Sequence, residues 1–337
     1  MATLDDLEAQ LREGLDRGID RDIVTVYGDQ LQALGDPRGE LIAIDLEIEH
    51  SGATPELARR RAELVEIWLG QQQPNGAIRC GFIDLDATSA EPVAQVRLAF
   101  GGRAARFVRS VTAVGPPKLL RETIAAIAEA PRPFLSRVTL RQWSEKDAPT
   151  IGRDEAAAFA RATPHLQCLE IDARRLFSDL PHPAVRRLRL SGFDAIGSLL
   201  TGKLVLPELS ALDLAIHCHL ATTRSAPPDE LFERLGTNLP KLTTLDVSRN
   251  EPGYLDPHTL GGDTQLFPFL PKLACRGRLI SLTVPPFTTP ETFATMRSAL
   301  AAMPELRDLA IVRVPKASRS LMTKNFARPE LAIRFST

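Results

Sequence analysis

The segment His217-Cys218-His219 holds the side chains of this sequence that are best suited to chemistry. A thiol beside an imidazole can act as a nucleophile or as a soft metal ligand. In an extended strand that continues after Leu214, Cys218 points to one side and both histidines to the other, so the three do not converge on one ion. The spacing favours a structural role for His217, and an enzyme or metal site centred on His217-Cys218-His219 is the alternative.

The loop Gly35-Asp36-Pro37-Arg38-Gly39 is a second candidate, because a helix N-terminus beside an arginine can bind an anion. Asp36 argues against a ligand here. As the N-cap residue, its carboxylate accepts hydrogen bonds from the backbone amides of the first turn. We therefore assign Asp36 to helix capping and expect Arg38 to pair with a carboxylate across the helical segment.

Three consecutive arginines, Arg59 to Arg61, suggest a basic surface that binds RNA or DNA. Acidic residues in the same segment offset this charge, and no aromatic side chains are interleaved to stack on bases. We predict a solvated, ion-paired surface and no nucleic-acid partner. The offsetting acids are Glu47, Glu49, Glu56, Glu63 and Glu66.

The composition narrows the function classes further. Lysine and arginine number 41 and aspartate and glutamate 42, so a net charge of −1 gives no global attraction for nucleic acid or an anionic membrane. The four cysteines are far apart, which indicates a reducing compartment, and no apolar run near the N-terminus suits a signal peptide or a membrane span. The usual phosphate-loop, zinc-protease and serine-hydrolase motifs are missing. We predict a cytoplasmic protein that is no enzyme and has no cofactor, metal or membrane partner.

Four short helices are predicted over residues 1–70, a linker over 71–76 and a second domain over 77–337. The expected helix starts are Thr3, Asp20, Asp36 and Thr54, all good N-cap residues. The linker sequence QQQPNG is polar and ends in a turn-forming Asn-Gly pair.

A repeated pattern predicts the second domain. Proline is followed by three apolar residues at offsets of two, five and seven, which is typical of a short parallel strand that needs neighbouring copies to bury its apolar side chains. Helical stretches are expected between strands at 118–129, 154–162, 229–235 and 291–302. Six copies begin at Pro133, Pro164, Pro183, Pro207, Pro240 and Pro304, and two weaker ones contain Val108-Val111-Ala113 and Leu279-Leu282-Val284.

These copies resemble leucine-rich repeats, in which an asparagine follows three residues after the last strand leucine. Only the copy Leu242-Leu245-Val247-Asn250 keeps that asparagine. The resemblance implies an α/β fold: a small N-terminal helical domain and an irregular leucine-rich-repeat solenoid with a parallel strand layer and helices on its convex side.

The N-terminal segment resembles the bacterial repeat-companion domain. Val26-Tyr27-Gly28-Asp29-Gln30-Leu31 and Gly35-Asp36-Pro37-Arg38-Gly39-Glu40-Leu41-Ile42 match its V-Y-A-D-W-L and G-D-P-R-G-E-F-I motifs, with Gly28 and Gln30 as departures. Arg59 to Arg61 and Trp68 fit its arginine-rich helix. In that family the domain precedes degenerate leucine-rich repeats, and no activity comes with it. The helical domain either binds a partner itself or only caps the solenoid.

Residues that alternate with the strand leucines are expected to line the concave face of the solenoid. The charged members form either a cross-strand ion ladder that solubilises the sheet or a docking strip for another protein. We predict a non-catalytic protein interaction scaffold, whose partner and oligomeric state do not follow from the sequence. The predicted partner-binding residues are Arg137, Arg141, Glu170, Asp172, Arg187, Arg189, Asp213 and Asp246.

Overall fold

The computed structural model describes residues 2–15, 18–88, 91–142, 151–173, 176–177, 179–191, 204–215, 239–248, 270, 273, 275–284, 290–314 and 316–336. The chain forms two compact units. Unit 1 comprises Met1–Pro149 and Asp154–Leu169, and unit 2 comprises Thr150–Arg153 and Glu170–Thr337.

Unit 1 begins with the four predicted helices. They are α1 (Leu4–Gly14), α2 (Arg21–Ala33), α3 (Pro37–Ser51) and α4 (Pro55–Leu69). Each predicted N-cap side chain accepts a hydrogen bond from a backbone amide of the first turn, and Thr3 and Asp6 form a reciprocal capping box. The four helix starts are therefore confirmed.

Helices α2 and α3 approach each other closely at two glycines. A Cβ atom at Gly39 would lie 2.5 Å from the backbone nitrogen of Gln32 and 2.6 Å from the carbonyl oxygen of Gly28. A Cβ at Gly28 would lie 3.0 Å from the Ile42 side chain. Only residues without a side chain allow this separation.

The helices share a core with the strands that follow them. Tyr27 and Leu31 of α2 are buried together with Phe82, Phe107 and Phe134. The ring centroids of Phe82 and Phe134 are 5.2 Å apart, and those of Phe107 and Phe134 are 5.8 Å apart. Because this core joins helices before residues 71–76 to strands after them, the compact unit continues across the predicted linker. The boundaries 1–70, 71–76 and 77–337 stay a prediction.

The strands of unit 1 begin with a hairpin. Antiparallel β1 (Gly76–Arg79) and β2 (Phe82–Ala87) are followed by β3 (Val108–Gly115) and β4 (Arg137–Gln142), which are parallel to β2. Its remaining helices are α5 (Pro92–Gly101), α6 (Pro117–Ala128) and α7 (Arg153–Ala162), with a short 3-10 helix at Arg103–Phe107. Strand β5 (Cys168–Asp172) runs from the last residues of unit 1 into unit 2.

Unit 2 is built largely of parallel strands. Its described helices are α8 (Pro290–Ala301) and α9 (Lys316–Phe326), with a short 3-10 helix at Arg276–Arg278. After β5 come β6 (Leu180–Pro181), β7 (Arg187–Ser191), β8 (Leu204–Val205), β9 (Ala211–Ala215), β10 (Thr244–Asp246), β11 (Ser281–Val284), β12 (Asp308–Val312) and β13 (Ala332–Ser336).

The described strands form a long, mostly parallel sheet in a mixed α/β fold. Eleven of them are hydrogen-bonded in the order β1-β2-β3-β4-β5-β7-β9-β10-β11-β12-β13, and β6 pairs with β8 separately. A strand forms at each of the eight predicted copies, and helices form at three of the four predicted stretches. The fourth stretch, 229–235, lies outside the described residues. No helix in the described ranges is long and apolar enough to cross a membrane.

Candidate functional site

Unit 2 has charged side chains on the sheet face opposite its leucines. Leu188, Leu212 and Leu245 are each at most 2% exposed, and they occupy matching positions of β7, β9 and β10. Since side chains alternate along a strand, their neighbours in sequence emerge on the other side, which we call the polar face. We use the name charged strip for its ionisable residues on β5, β7, β9 and β10: Glu170, Asp172, Arg187, Arg189, Asp213 and Asp246.

Arg189 lies at the centre of the charged strip. Its Nη1 is 3.3 Å from a Glu170 carboxylate oxygen, and its Nε is 3.2 Å from Oδ2 of Asp213. The three side chains are between 19% and 32% exposed, so these pairs are partly shielded from water. One arginine thus bridges the acids of two neighbouring strands.

Two aspartates lie side by side next to this arginine. Asp213 and Asp246 are register partners on the parallel strands β9 and β10. Burial raises the pKa of Asp213 to about 6, and the charges of Asp246 and Glu170 act in the same direction while Arg189 opposes them. Asp246 also accepts a hydrogen bond of 2.8 Å from the backbone amide of Ser248. Burial, and after it the neighbouring carboxylates, therefore disfavour the ionised form of Asp213.

The ends of the charged strip are more exposed. Asp172 and Arg187 are exposed, and Asp172 accepts a hydrogen bond from the hydroxyl of Ser191. Farther along the sheet, Arg334 of β13 lies 3.4 Å from Asp308 of β12. Cross-strand ion pairs thus occur within unit 2, at Arg189 and at Arg334.

Arg137 and Arg141, the other two predicted residues, lie in unit 1. Both are exposed, and they flank the buried strand residues of β4. Register places Arg137 beside Ser110, whose hydroxyl donates a hydrogen bond of 2.7 Å to Asp84. Asp84 also accepts a 3.0 Å hydrogen bond from Nε of Arg109. Asp84 and Arg109 are not among the predicted site residues, although the alternation of Ile83-Asp84-Leu85-Asp86 on β2 is a detectable strand signal.

The polar side chains of the Gly35 to Gly39 loop make their contacts within the protein. The Asp36 carboxylate accepts hydrogen bonds from the backbone amide and the guanidinium of Arg38, which confirms the capping role. Arg38 pairs with this nearby acid, so the expectation of a carboxylate across the helical segment was wrong: the guanidinium is already neutralised two residues away. Across the segment it instead contacts the Tyr27 hydroxyl at 3.4 Å and lies 3.6 Å from the centroid of the Phe107 ring.

The three consecutive arginines are all paired with acids. Arg59 bonds Glu63 on its own helix, whereas Arg60 reaches Glu40 on α3 with two hydrogen bonds of 2.6 and 2.7 Å. Arg61 lies 2.6 Å from Asp45 and also donates to the Ile78 carbonyl. Two of these arginines therefore hold α4 against its neighbours, and the expected ion-paired surface is present. Of the acids named for it, Glu63 pairs with Arg59 and Arg60, and Glu49 pairs with Arg79.

The segment His217-Cys218-His219 lies outside the described residues. Within the described ranges, no group of three or more histidine, cysteine or acidic side chains is arranged to hold a metal ion. The free thiols of Cys80 and Cys275 are buried, and burial raises the pKa of Cys80 to about 12. At neutral pH a thiol in that environment is protonated and weakly nucleophilic.

Comparison with known proteins relates this chain to others by fold alone. No protein-family model matches it, and no curated protein does. Among solved structures it is similar to a protein from Bacteroides fragilis, with a TM-score of 0.50 and 12% sequence identity over 92% of this chain and 83% of that one. At that identity the similarity supports the mixed α/β fold and carries no activity.

Proposed function

We propose that this chain is a non-catalytic scaffold that binds another protein through the polar face of its sheet. The observation that carries the proposal is the charged strip, in which four neighbouring strands present ionisable side chains opposite a buried leucine layer. Parallel sheets are usually covered on both faces, so an accessible polar face is typical of a surface with a use. Charges fixed in register favour recognition of one complementary protein surface.

A purely structural role accounts less well for these charges. Partly exposed ion pairs contribute little to stability, with a median of about 0–1 kcal/mol. A network that served stability alone would favour the ionised state of its acids, whereas the fold raises the pKa of Asp213 to about 6. Perturbed ionisable groups of this kind are concentrated at functional sites.

We further infer that the four helices are a repeat-companion domain and that the sheet is a degenerate leucine-rich-repeat solenoid, with the polar face as its concave side. Two observations support this: the motif match of residues 20–70, and the strand that forms at each of the eight repeat copies. In this proposal the protein is cytoplasmic, and its partner is neither nucleic acid nor membrane.

The test exchanges charges at the exposed ends of the charged strip. The double variant Asp172→Lys and Arg187→Glu keeps the net charge and leaves the half-buried Arg189 pairs intact. Arg59→Glu with Glu63→Lys is the matched control, because it exchanges the members of an exposed ion pair on α4. Both variants and the native chain are used to capture proteins from lysate of the native host, and captured proteins are identified by mass spectrometry.

We expect one protein to be captured by the native chain and the control and to be lost with the strip variant. Retention by all three proteins would refute docking through the charged strip. Arg137→Glu with Arg141→Glu is tested separately in unit 1, because these residues belong to the predicted set but not to the charged strip. An intact circular dichroism spectrum ensures that loss of capture reports binding rather than folding.

A further inference from the structure

A groove in unit 1 has no part in the proposed function. It has a volume of about 330 Å³ and is lined by the end of α4, the residues that follow it, the end of α5 and the 3-10 helix. Most of its lining residues are apolar, among them Ile67, Trp68, Ile83 and Leu98. Ile67 is 65% exposed, which is unusual for a large aliphatic side chain beside a concave surface.

One cation lies among these apolar residues. Arg103 lines the groove and is exposed. Its guanidinium forms no hydrogen bond or ion pair with any other residue in the described part of the chain. The next two arginines along the chain are each paired with an acid: Arg106 lies 2.8 Å from Glu8, and Arg109 pairs with Asp84. The groove therefore combines an apolar wall with one uncompensated positive charge.

We propose that this groove binds a small organic acid, with its apolar body against Trp68 and Leu98 and its carboxylate on Arg103. Binding sites for small molecules are commonly concave, mostly apolar and equipped with few polar groups that fix the orientation of the ligand. The volume is near the lower end of the range for such sites, roughly 300–1,000 Å³, which favours a compact ligand over a large cofactor. A guanidinium recognises a carboxylate through paired hydrogen bonds, so the charge selects an acid over an alcohol of equal length.

The groove also offers a direct spectroscopic reporter. Trp68 is one of two tryptophans in the chain, and the other is Trp143, which lies outside the described residues. In the full chain with Trp143→Phe, all tryptophan emission comes from Trp68. Octanoate, 1-octanol and acetate are titrated into this protein, so that apolar body and carboxylate are tested separately.

We expect a saturable change in Trp68 emission with octanoate, weaker binding of 1-octanol by roughly threefold to tenfold, and no response to acetate. Arg103→Gln is expected to reduce octanoate affinity to that of 1-octanol and to leave 1-octanol binding unchanged. Arg97→Gln is the matched control, because Arg97 is an arginine of α5 that is 74% exposed and does not line the groove. It is expected to leave both affinities unchanged.

Three results would overturn the proposal. Equal affinities of the native chain for octanoate and 1-octanol would exclude recognition of the carboxylate. Equal losses with Arg97→Gln and Arg103→Gln would indicate a general effect of surface charge. If octanoate does not bind but a short peptide ending in leucine with a free carboxylate does, the occupant is a protein C-terminus and the small acid is the wrong ligand.

Discussion

Replacing Gly39 by alanine tests whether the close contact between α2 and α3 requires a glycine at this position. The added Cβ would lie 2.5 Å from the Gln32 nitrogen and 2.6 Å from the Gly28 carbonyl oxygen, roughly 1 Å closer than ordinary contact. Both atoms belong to helix backbones, so the helices must separate. Overpacking of this kind costs about 1–3 kcal/mol, and the better helix propensity of alanine offsets about 0.5–1 kcal/mol of that. We expect a net loss of about 1 kcal/mol in the free energy of unfolding.

Urea unfolding followed by Trp68 emission measures this loss, because Trp68 packs against Phe107 in the same unit, with ring centroids 6.3 Å apart. Gly14→Ala is the matched control. Gly14 is also helical, and a Cβ there would meet no atom within 4 Å. The stability of the Gly14→Ala variant should therefore be unchanged or slightly higher than that of the native chain. An unchanged urea midpoint for Gly39→Ala, or an equal loss for Gly14→Ala, would refute the steric explanation.

Two further predictions concern the ionisable residues. Because the folded chain raises the pKa of Asp213 from 3.8 to about 6, the native state binds more protons than the unfolded state between these values, and stability falls as pH rises through this range. We expect the stability of Asp213→Asn relative to the native chain to rise by roughly 1–3 kcal/mol between pH 4 and pH 7, and a difference independent of pH in urea unfolding would contradict this. Arg38→Ala should lower the free energy of unfolding by roughly 2–4 kcal/mol, measured by thermal or urea unfolding. The variant leaves the carboxylate of Asp36 without its guanidinium partner, and the Arg38 side chain is only 7% exposed. Arg59→Ala, at a side chain that is 67% exposed, should change little, and equal losses for both variants would refute the importance of burial.

The four N-terminal helices were predictable because their signals are local. Thr3, Asp20, Asp36 and Thr54 each cap the first turn with their own side chain, so a short stretch of sequence is sufficient to place the helix start. Helix α5 has no such signal. Its N-cap is Glu91, which makes no side-chain capping bond, so no capping side chain indicates where this helix starts.

The hairpin β1–β2 does not follow from the sequence for a different reason. The polar sequence QQQPNG favours a linker, whereas in the structure Gly76 is the first residue of β1, and its φ angle is +133°, a conformation that favours glycine. A Cβ there would also collide with the backbone at Asp84. The Asn-Gly pair therefore starts a strand that packs against β2, and this depends on a contact outside the local sequence.

The charged strip shows how far a repeat pattern can predict which residues share one face of a sheet. The spacing of Leu188, Leu212 and Leu245 places their charged neighbours on one face, because side chains alternate along each strand. The pairing of Arg189 with both Glu170 and Asp213 depends on strand order and register, which the sequence pattern alone does not determine.

If the proposed function is correct, the backbone limits which partner surfaces fit this face. Hydrogen bonding keeps neighbouring strands about 4.8 Å apart, so charges at matching positions of β7, β9 and β10 are held at a fixed spacing by the leucine layer beneath them. A flexible partner segment would lose conformational entropy to match that spacing, whereas a rigid surface with complementary charges would not. For this reason we expect the partner to present a folded surface to the charged strip. Exchanging two charges of the strip should weaken binding more than a change in salt concentration, because salt leaves the order of the charges intact.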